Sequence, residues 1–350
     1  MKKLISLLLS SALCLALGGC YDSNEISRLA FVLAVGFDTD SYSFQIVKPS
    51  AFEGEGGEGS PFFTATVNAP NVYIAMDKLN SQISESCDYS HIKMVIFSEE
   101  KLKKGIDKET DAMLKSNDFH PTTRVCMCRG KAEDFMKDMK IPLDANPAEY
   151  YENIFKQGFT EYSPDVTLND LIKSYNSHIT GNVLPVINDE TAGMAVVRDY
   201  RFSDTAKPTD AFIYNLLTQQ GFEGNYPIGD TAVVRFKKKN CIKRVKLSEK
   251  TPLINLNTEL EGNIIWAEDS VDKNRIGKIA EAEIKNDITE FLYRCSMEYR
   301  ADILDFYKIA RTHYPTVESW EKEDWQGLFE KSQYSVNVKA EIKREGLNIN

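Results

Sequence analysis

Cys20 is the residue of this chain best placed for covalent chemistry, because of what stands in front of it. Lys2 and Lys3 make a short basic start, Leu4 to Leu17 an apolar run too short to span a bilayer comfortably, and Gly18-Gly19 the small residues that a processing enzyme needs. The spacing predicts a signal peptide over residues 1–19, cleaved so that Cys20 becomes the first residue and carries lipid on its sulfur. Each buried CH₂ contributes about 0.8 kcal/mol and two chains are needed for stable attachment, so a diacyl anchor would tether the protein without spanning the membrane.

The other reactive residues do not assemble into a site in the sequence. Gly54, Gly56 and Gly59 spell G-x-G-x-x-G, the string of a dinucleotide-binding turn, but Glu53, Glu55 and Glu58 would repel a pyrophosphate, and the strand-like Phe62 to Val67 follows where a helix should begin. The stretch reads as a solvated acidic loop. His91, His120, His178 and His313 are scattered without ligand spacing, and no metalloprotease helix, nucleophile elbow or Walker loop is present. Asp38 and Asp40 could act as an acid–base pair only across a cleft, and at a strand end they read as a turn cap. Ser163 and Ser177 have no base-like neighbours. Beyond the leader and Cys20, five cysteines remain: Cys87, Cys126, Cys128, Cys241 and Cys295. An odd, irregular set does not suit a disulfide framework, and Cys126 and Cys128, two apart in a strand-like run, share a face as small apolar residues rather than as a redox or zinc pair. No cofactor or metal is expected, and the chemistry favours binding or structure over catalysis.

The elements that carry these residues read as mixed. Leu29 to Phe37 is a buried strand, Tyr42 to Val47 its hairpin partner and Phe62 to Val67 a third strand. Asn71 to Ser86 and Lys101 to Lys115 have helical spacing around a strand at His91 to Phe97; Thr122 to Cys128 is a strand and Lys131 to Met139 a helix. Tyr150 to Phe155 adds a helical turn and Leu168 to Tyr175 a short helix. Ala192 to Tyr200 then forms a strand, and Thr209 to Gln220 a helix capped by Thr or Asp. Thr231 to Phe236 and Ile242 to Leu247 predict a hairpin with Lys237-Lys238-Lys239-Asn240 at its tip. Strands at Leu253 to Leu260 and Ile264 to Ala267 precede the longest periodic helix, marked by Ile276, Ile279, Ala280, Ile284, Ile288, Phe291, Leu292 and Cys295. Asp302 to Arg311 continues helical, Trp320 and Trp325 are core anchors, and Ser335 to Lys343 is a terminal strand. The fold class expected is α+β, mixed α/β with two to three sheet-and-helix domains and a long helix in the C-terminal region. The boundaries expected are 20–187, 188–250 and 251–350.

Lys and Arg number 42 against 52 Asp and Glu, a net charge of −10; without residues 1–19, which hold two lysines and no carboxylate, the balance is 40 against 52, or −12. Nucleic acid is excluded as a partner on that charge. With no basic cluster near the anchor, acyl chains rather than surface charge are expected to hold the chain to a membrane.

The ordered motifs resemble one family. Gly19-Cys20-Tyr21-Asp22, Glu25-Ile26 and Gly36-Phe37-Asp38 are similar to the opening of the Ger(x)C, or GerAC-type, spore germination lipoproteins, with Tyr21 where those proteins usually have Trp. The likeness continues through His91 to Phe97 with Ser98-Glu99-Glu100, Gly105-Ile106, Arg124, Gly130, Leu168 to Leu171, Leu184-Pro185 and Gly193 to Val196, and closes on Asp305-Phe306, Tyr314-Pro315, Trp320, Trp325, Val336 to Ile342 and Gly346. The resemblance implies a non-enzymatic C subunit of a nutrient germinant receptor, with three mixed α/β domains. It also implies lipid-anchoring through Cys20 to the outer face of the spore inner membrane, beside one A-type and one B-type integral membrane subunit. It leaves direct nutrient binding by this subunit open. The alternatives from the residues alone are a solute-binding lipoprotein of a nutrient importer, which needs two similar lobes around a cleft, and a lipid-anchored cell-wall hydrolase, which lacks an acid–base or metal set.

Overall fold

The computed structural model describes residues 29–47, 62–138, 150, 153, 161–176, 181–187, 193–248, 251–268 and 272–344. Among them two sheets carry the molecule, so the chain is of mixed α+β class as expected. The first sheet has nine strands. Its centre is β1 (Leu29–Phe37), flanked on one side by the antiparallel strands β2 (Ser41–Val47) and β3 (Phe62–Asn68). On the other side the parallel strands β5 (Met94–Ser98), β6 (Arg124–Cys128) and β7 (Gly181–Ile187) follow in order. The short β4 (Ser86–Asp88) also pairs with β1, and β8 (Gly193–Arg198) and β9 (Arg201–Ala206) add antiparallel strands at the far edge.

The parallel centre has helices on both faces, as buried parallel strands require. A register shift between Val32 and Ala34 lets Ala30, Val32, Val35 and Phe37 face one apolar cluster while Leu33 and Ala34 face another. The larger cluster takes in the helix α1 (Val72–Gln82), capped by Asn71, whose side chain accepts from Ile74 N. The predicted helix over 101–115 is two, α2 (Glu99–Lys104) and α3 (Asp107–Lys115): Gly105, at φ +110°, ends the first turn of chain in a conformation that L side chains rarely adopt. On the second face lies α4 (Ala132–Asp138), with Ala132 and Met136 against Cys126 and Cys128. The short helix α5 (Leu168–Asn176) is where the periodicity places it. Of the predicted turn at 150–155, Tyr150 and Asn153 are helical and the rest lies outside the described residues.

The second sheet is β10-β11-β12-β13, antiparallel except for its last pair: β10 (Glu223–Ile228), β11 (Ala232–Lys246), β12 (Leu253–Ala267) and β13 (Gln333–Arg344). Two expectations are corrected here. Lys237 to Asn240 is no hairpin tip but the middle of the single 15-residue strand β11, which bulges between Lys238 and Asn240. The segments 253–260 and 264–267 are likewise one strand. A continuous partner carries a turn-like composition straight through, since each strand supplies the other's ladder bonds.

Helix α6 (Pro208–Thr218) lies between the sheets and begins on Pro208, after Lys207, which makes no side-chain cap bond, rather than on a Thr or Asp cap. The long helix α7 (Lys273–Tyr293) buries Ile276, Ala280, Ile284, Ile288, Phe291 and Leu292 against the second sheet and continues as a π-helical turn over Arg294–Glu298. It runs along the outer strand β13: Glu281 Oε1 accepts the Ala340 backbone N–H at 2.9 Å, and a Cβ on Gly277 would stand 3.4 Å from Ala340 O. The predicted helix over 302–311 is shorter, α8 (Phe306–Arg311), because Asp302 is spent on its start. The helices α9 (Val317–Glu321) and α10 (Trp325–Phe329) follow, and Trp320 and Trp325 pack on each other with ring centroids 6.0 Å apart, half-buried against the core.

Candidate functional site

Cys20, predicted to carry the lipid, lies outside the described residues, and so do His178 and Ser177. The remaining candidates for chemistry are held in structural duties. Asp38 Oδ1 and Oδ2 accept the backbone N–H groups of Ala132 and Glu133 at 2.9 and 3.1 Å, so this carboxylate caps α4 from across the sheet. Its neighbour Gly36 is where α4 presses closest: a Cβ there would meet Met136 sulfur at 2.7 Å. Gly36-Phe37-Asp38 is thus a docking seat for a helix, and both oxygens of the Asp38 carboxylate are committed to it. Ser163 Oγ donates to Gly193 O. His120 Nδ1 lies 2.7 Å from Thr122 Oγ1, His313 Nε2 2.9 Å from Val245 O, and exposed His91 sits beside Ser90 and Asp88.

The five cysteines are free thiols. Cys126 and Cys128 share a buried face as their spacing predicts; burial pushes the Cys126 thiol well up, and burial, then the Asp38 charge, takes Cys128 to about 12. Neither is a thiolate nucleophile under those conditions. Among the described residues no group of three His, Cys, Asp or Glu could hold a metal ion, and no helix is long and apolar enough to cross a membrane.

The polar residues that do converge lie where the sheets meet, around α6. Asp210, fully buried, accepts Arg294 Nε at 3.0 Å and the Tyr299 hydroxyl at 2.7 Å on Oδ2, while Arg294 Nη2 donates to Oδ1. The π-helical turn that starts at Arg294 follows α7 directly and brings the guanidinium to α6. One turn of helix later Asn215 Nδ2 donates to Glu161 O and Ser163 O at 3.1 and 2.9 Å, and Phe212 stacks edge-on with Phe222 at 5.1 Å. Glu161 Oε1 in turn accepts Asn225 N of β10. Beside them the Tyr226 hydroxyl donates to Asp287 Oδ2 at 2.6 Å. Burial raises the Asp287 carboxyl above its ordinary range, and it likewise raises the Tyr226 and Tyr299 hydroxyls.

A second buried carboxylate, Asp302, accepts Phe306 N, Tyr307 N and Trp325 Nε1 at 3.1, 2.7 and 3.0 Å. It starts α8 and fixes α10 with one side chain, and burial holds its carboxyl up. Lys243, depressed by burial, donates to Leu304 O at 3.2 Å and lies over the Phe306 ring. Sequence reasoning missed Asp210, Arg294 and Asp302. A lone Asp near a helix start and an Arg 84 residues later carry no local signal of their pairing. This arrangement ties α6 to the end of α7; among the described residues around it there is no nucleophile, base or metal set.

The chain is similar throughout to proteins of one process. Residues 22–189 match the model described as spore germination protein N-terminal domain, and residues 192–346 the model described as spore germination B3/GerAC-like, C-terminal. The spore germination protein GerQC of Bacillus cereus is 20% identical, covering 94% of this chain and 95% of its own length. The spore germination protein KC of Bacillus subtilis is 26% identical over 199 residues, covering 52% of this chain and 49% of its own length. The crystal structure of the GerBC protein has the same fold: TM-score 0.56 at 13% identity, over 89% of this chain and 96% of that one.

Proposed function

The chain belongs to the GerAC family of spore germination proteins, and from that premise we propose that it is the lipoprotein C subunit of a nutrient germinant receptor. The observation that carries this is the consecutive match of both family domains over residues 22–189 and 192–346. In this reading Cys20 is the lipid-bearing residue, the chain lies on the outer face of the spore inner membrane, and its partners are the A-type and B-type membrane subunits. Its role is non-enzymatic. Support comes from the buried groups among the described residues: Asp38, Asp210 and Asp302 are occupied as caps and ties, and Cys126, Cys128 and Cys295 as core.

The importer reading is less well supported. A solute-binding protein closes two similar lobes on a ligand, whereas the two sheets here differ in strand number and topology and are tied by the buried Asp210–Arg294 pair. The experiment is a clean deletion in the native spore former, scoring nutrient-triggered germination against germination triggered without receptors. Loss of the nutrient response alone is the expected result. Normal nutrient germination with impaired uptake of a solute by growing cells would overturn the proposal in favour of the importer.

A further inference from the structure

In a chain of net charge −10, one strand is strongly cationic: seven of the 15 residues of β11 are Lys or Arg and none is Asp or Glu. The register sorts them. Lys238 pairs with Leu260 and Lys243 with Leu256, on the covered face of the second sheet, and Lys243 is half-buried under α8. Arg235, Lys237, Lys239, Arg244 and Lys246 are exposed. Arg235 and Lys237 pair with Asn263 and Glu261, and Lys239 reaches Glu261 on the opposite, uncovered face. On β13, Lys339 and Lys343 join them, Lys343 Nζ sitting 2.8 Å from Glu261.

The carboxylates of this face, Glu223, Glu259, Glu261 and Glu341, number four against those seven cations. At the end of the cationic row the apolar residues come to the surface. Trp266 is 52% and Ile265 47% exposed, and Trp266 pairs with Val233, two residues before Arg235.

We propose that the uncovered face of the second sheet rests on an anionic lipid headgroup layer, with Trp266 at the interface. The cations are spread in two dimensions: Arg235 and Lys246 stand eleven residues apart, about 35 Å along β11, and Lys339 and Lys343 lie two strands away on β13. An array of that extent on an exposed sheet face matches a surface of repeated charge better than it matches one polypeptide segment. Trp266 stands diagonally across from Arg235, and tryptophan is favoured at a bilayer interface, where the ring sits at headgroup depth. Each cation near an anionic leaflet contributes about fivefold to partitioning, so a net excess of three amounts to about a hundredfold. That is too little to recruit a free protein, and enough to orient one already held at the bilayer by its own lipid. The inference rests on the tether at Cys20.

The test reconstitutes the full lipidated chain into vesicles carrying doxyl-labelled lipid, either phosphatidylcholine alone or phosphatidylcholine with phosphatidylglycerol. Flotation reports the tether, and quenching of tryptophan fluorescence, taken against the Trp266→Phe variant, reports the face. The expected result is Trp266-dependent quenching in the anionic vesicles, falling several-fold in neutral vesicles, in about 1 M salt, and in the Arg235→Glu, Lys237→Glu double variant. Flotation without Trp266 quenching overturns the proposal and leaves the tether standing; if the face then becomes protected on adding the membrane subunits, it belongs to a protein partner instead. A chain that does not float removes the tether and the proposal together.

Discussion

Asp210 and Arg294, 84 residues apart in the chain, meet in a buried two-pronged ion pair between α6 and the π-helical end of α7, with the Tyr299 hydroxyl on the same carboxylate. Three donors therefore depend on one side chain. Asp210→Ala leaves the Tyr299 hydroxyl without its acceptor and the buried Arg294 guanidinium with only the exposed Glu290, 3.3 Å away, and is expected to cost about 3 kcal/mol. Urea denaturation measures it, and a loss below about 1 kcal/mol would contradict the accounting.

Gly36 is open to the same kind of test. Its missing Cβ is the space that Met136 sulfur fills, so Gly36→Ala should push α4 off its seat at a cost of about 1–3 kcal/mol. Met136→Ala in the same chain should recover part of that loss. Thermal unfolding of the single and double variants decides, and additive losses would sink the explanation.

The raised carboxyls give a pH dependence of definite sign. Asp287, Glu283 and Asp302 are all held above their ordinary range, chiefly by burial, so just above that range the native chain keeps protons that the unfolded chain has released. Their contribution to stability is complete below the unfolded-state values and is lost as pH rises through the raised ones. Asp287→Asn keeps an acceptor for the Tyr226 hydroxyl and removes one of the three groups. It should therefore be neutral near pH 3 and stabilising near pH 7. A variant destabilised equally at both would show that the negative charge itself is needed.

Glu281 makes a prediction for exchange rather than for melting. Since its carboxylate holds the Ala340 amide, Glu281→Ala should speed hydrogen exchange at that one amide while Val336 and Val338, deeper in the strand, keep their rates. The stability cost should be about 1 kcal/mol. Uniform acceleration along β13 would mean that the strand as a whole had loosened.

Cys20→Ala should release the protein from the membrane fraction of spores, motivated by Leu17-Gly18-Gly19-Cys20. A variant that sediments with membrane as fully as the unchanged chain would refute the lipid anchor.

How legible the fold was depended on whether a signal was local. The stripe from Ile276 to Leu292 announced α7 because four turns of one helix repeat the same instruction. In the sequence Gly36-Phe37-Asp38 signals a strand end with a cap, and the cap is there, but its client is the helix beginning at Ala132, 94 residues away. At Lys237 to Asn240 four polar residues in a row suggested a turn, and only the unbroken partner β12 says otherwise. The short polar strand β9, RFSDTA, has no alternation to read and exists because β8 offers it an edge. Asp210, Arg294 and Asp302 are polar residues at the points where distant elements converge, and convergence is a property of the folded chain.

The covering of β13 by α7 has a last consequence. A twelve-residue outer strand is a template on which another chain's strand could add, and then another. Here the helix lies along it, Gly277 lets the two backbones approach, and Glu281 already occupies the amide of Ala340. At the opposite end, β10 carries Pro227, which has no N–H to offer a newcomer. Along these stretches the outer strands of the second sheet are therefore blunted, and a neighbouring copy finds fewer backbone groups there on which to add a strand.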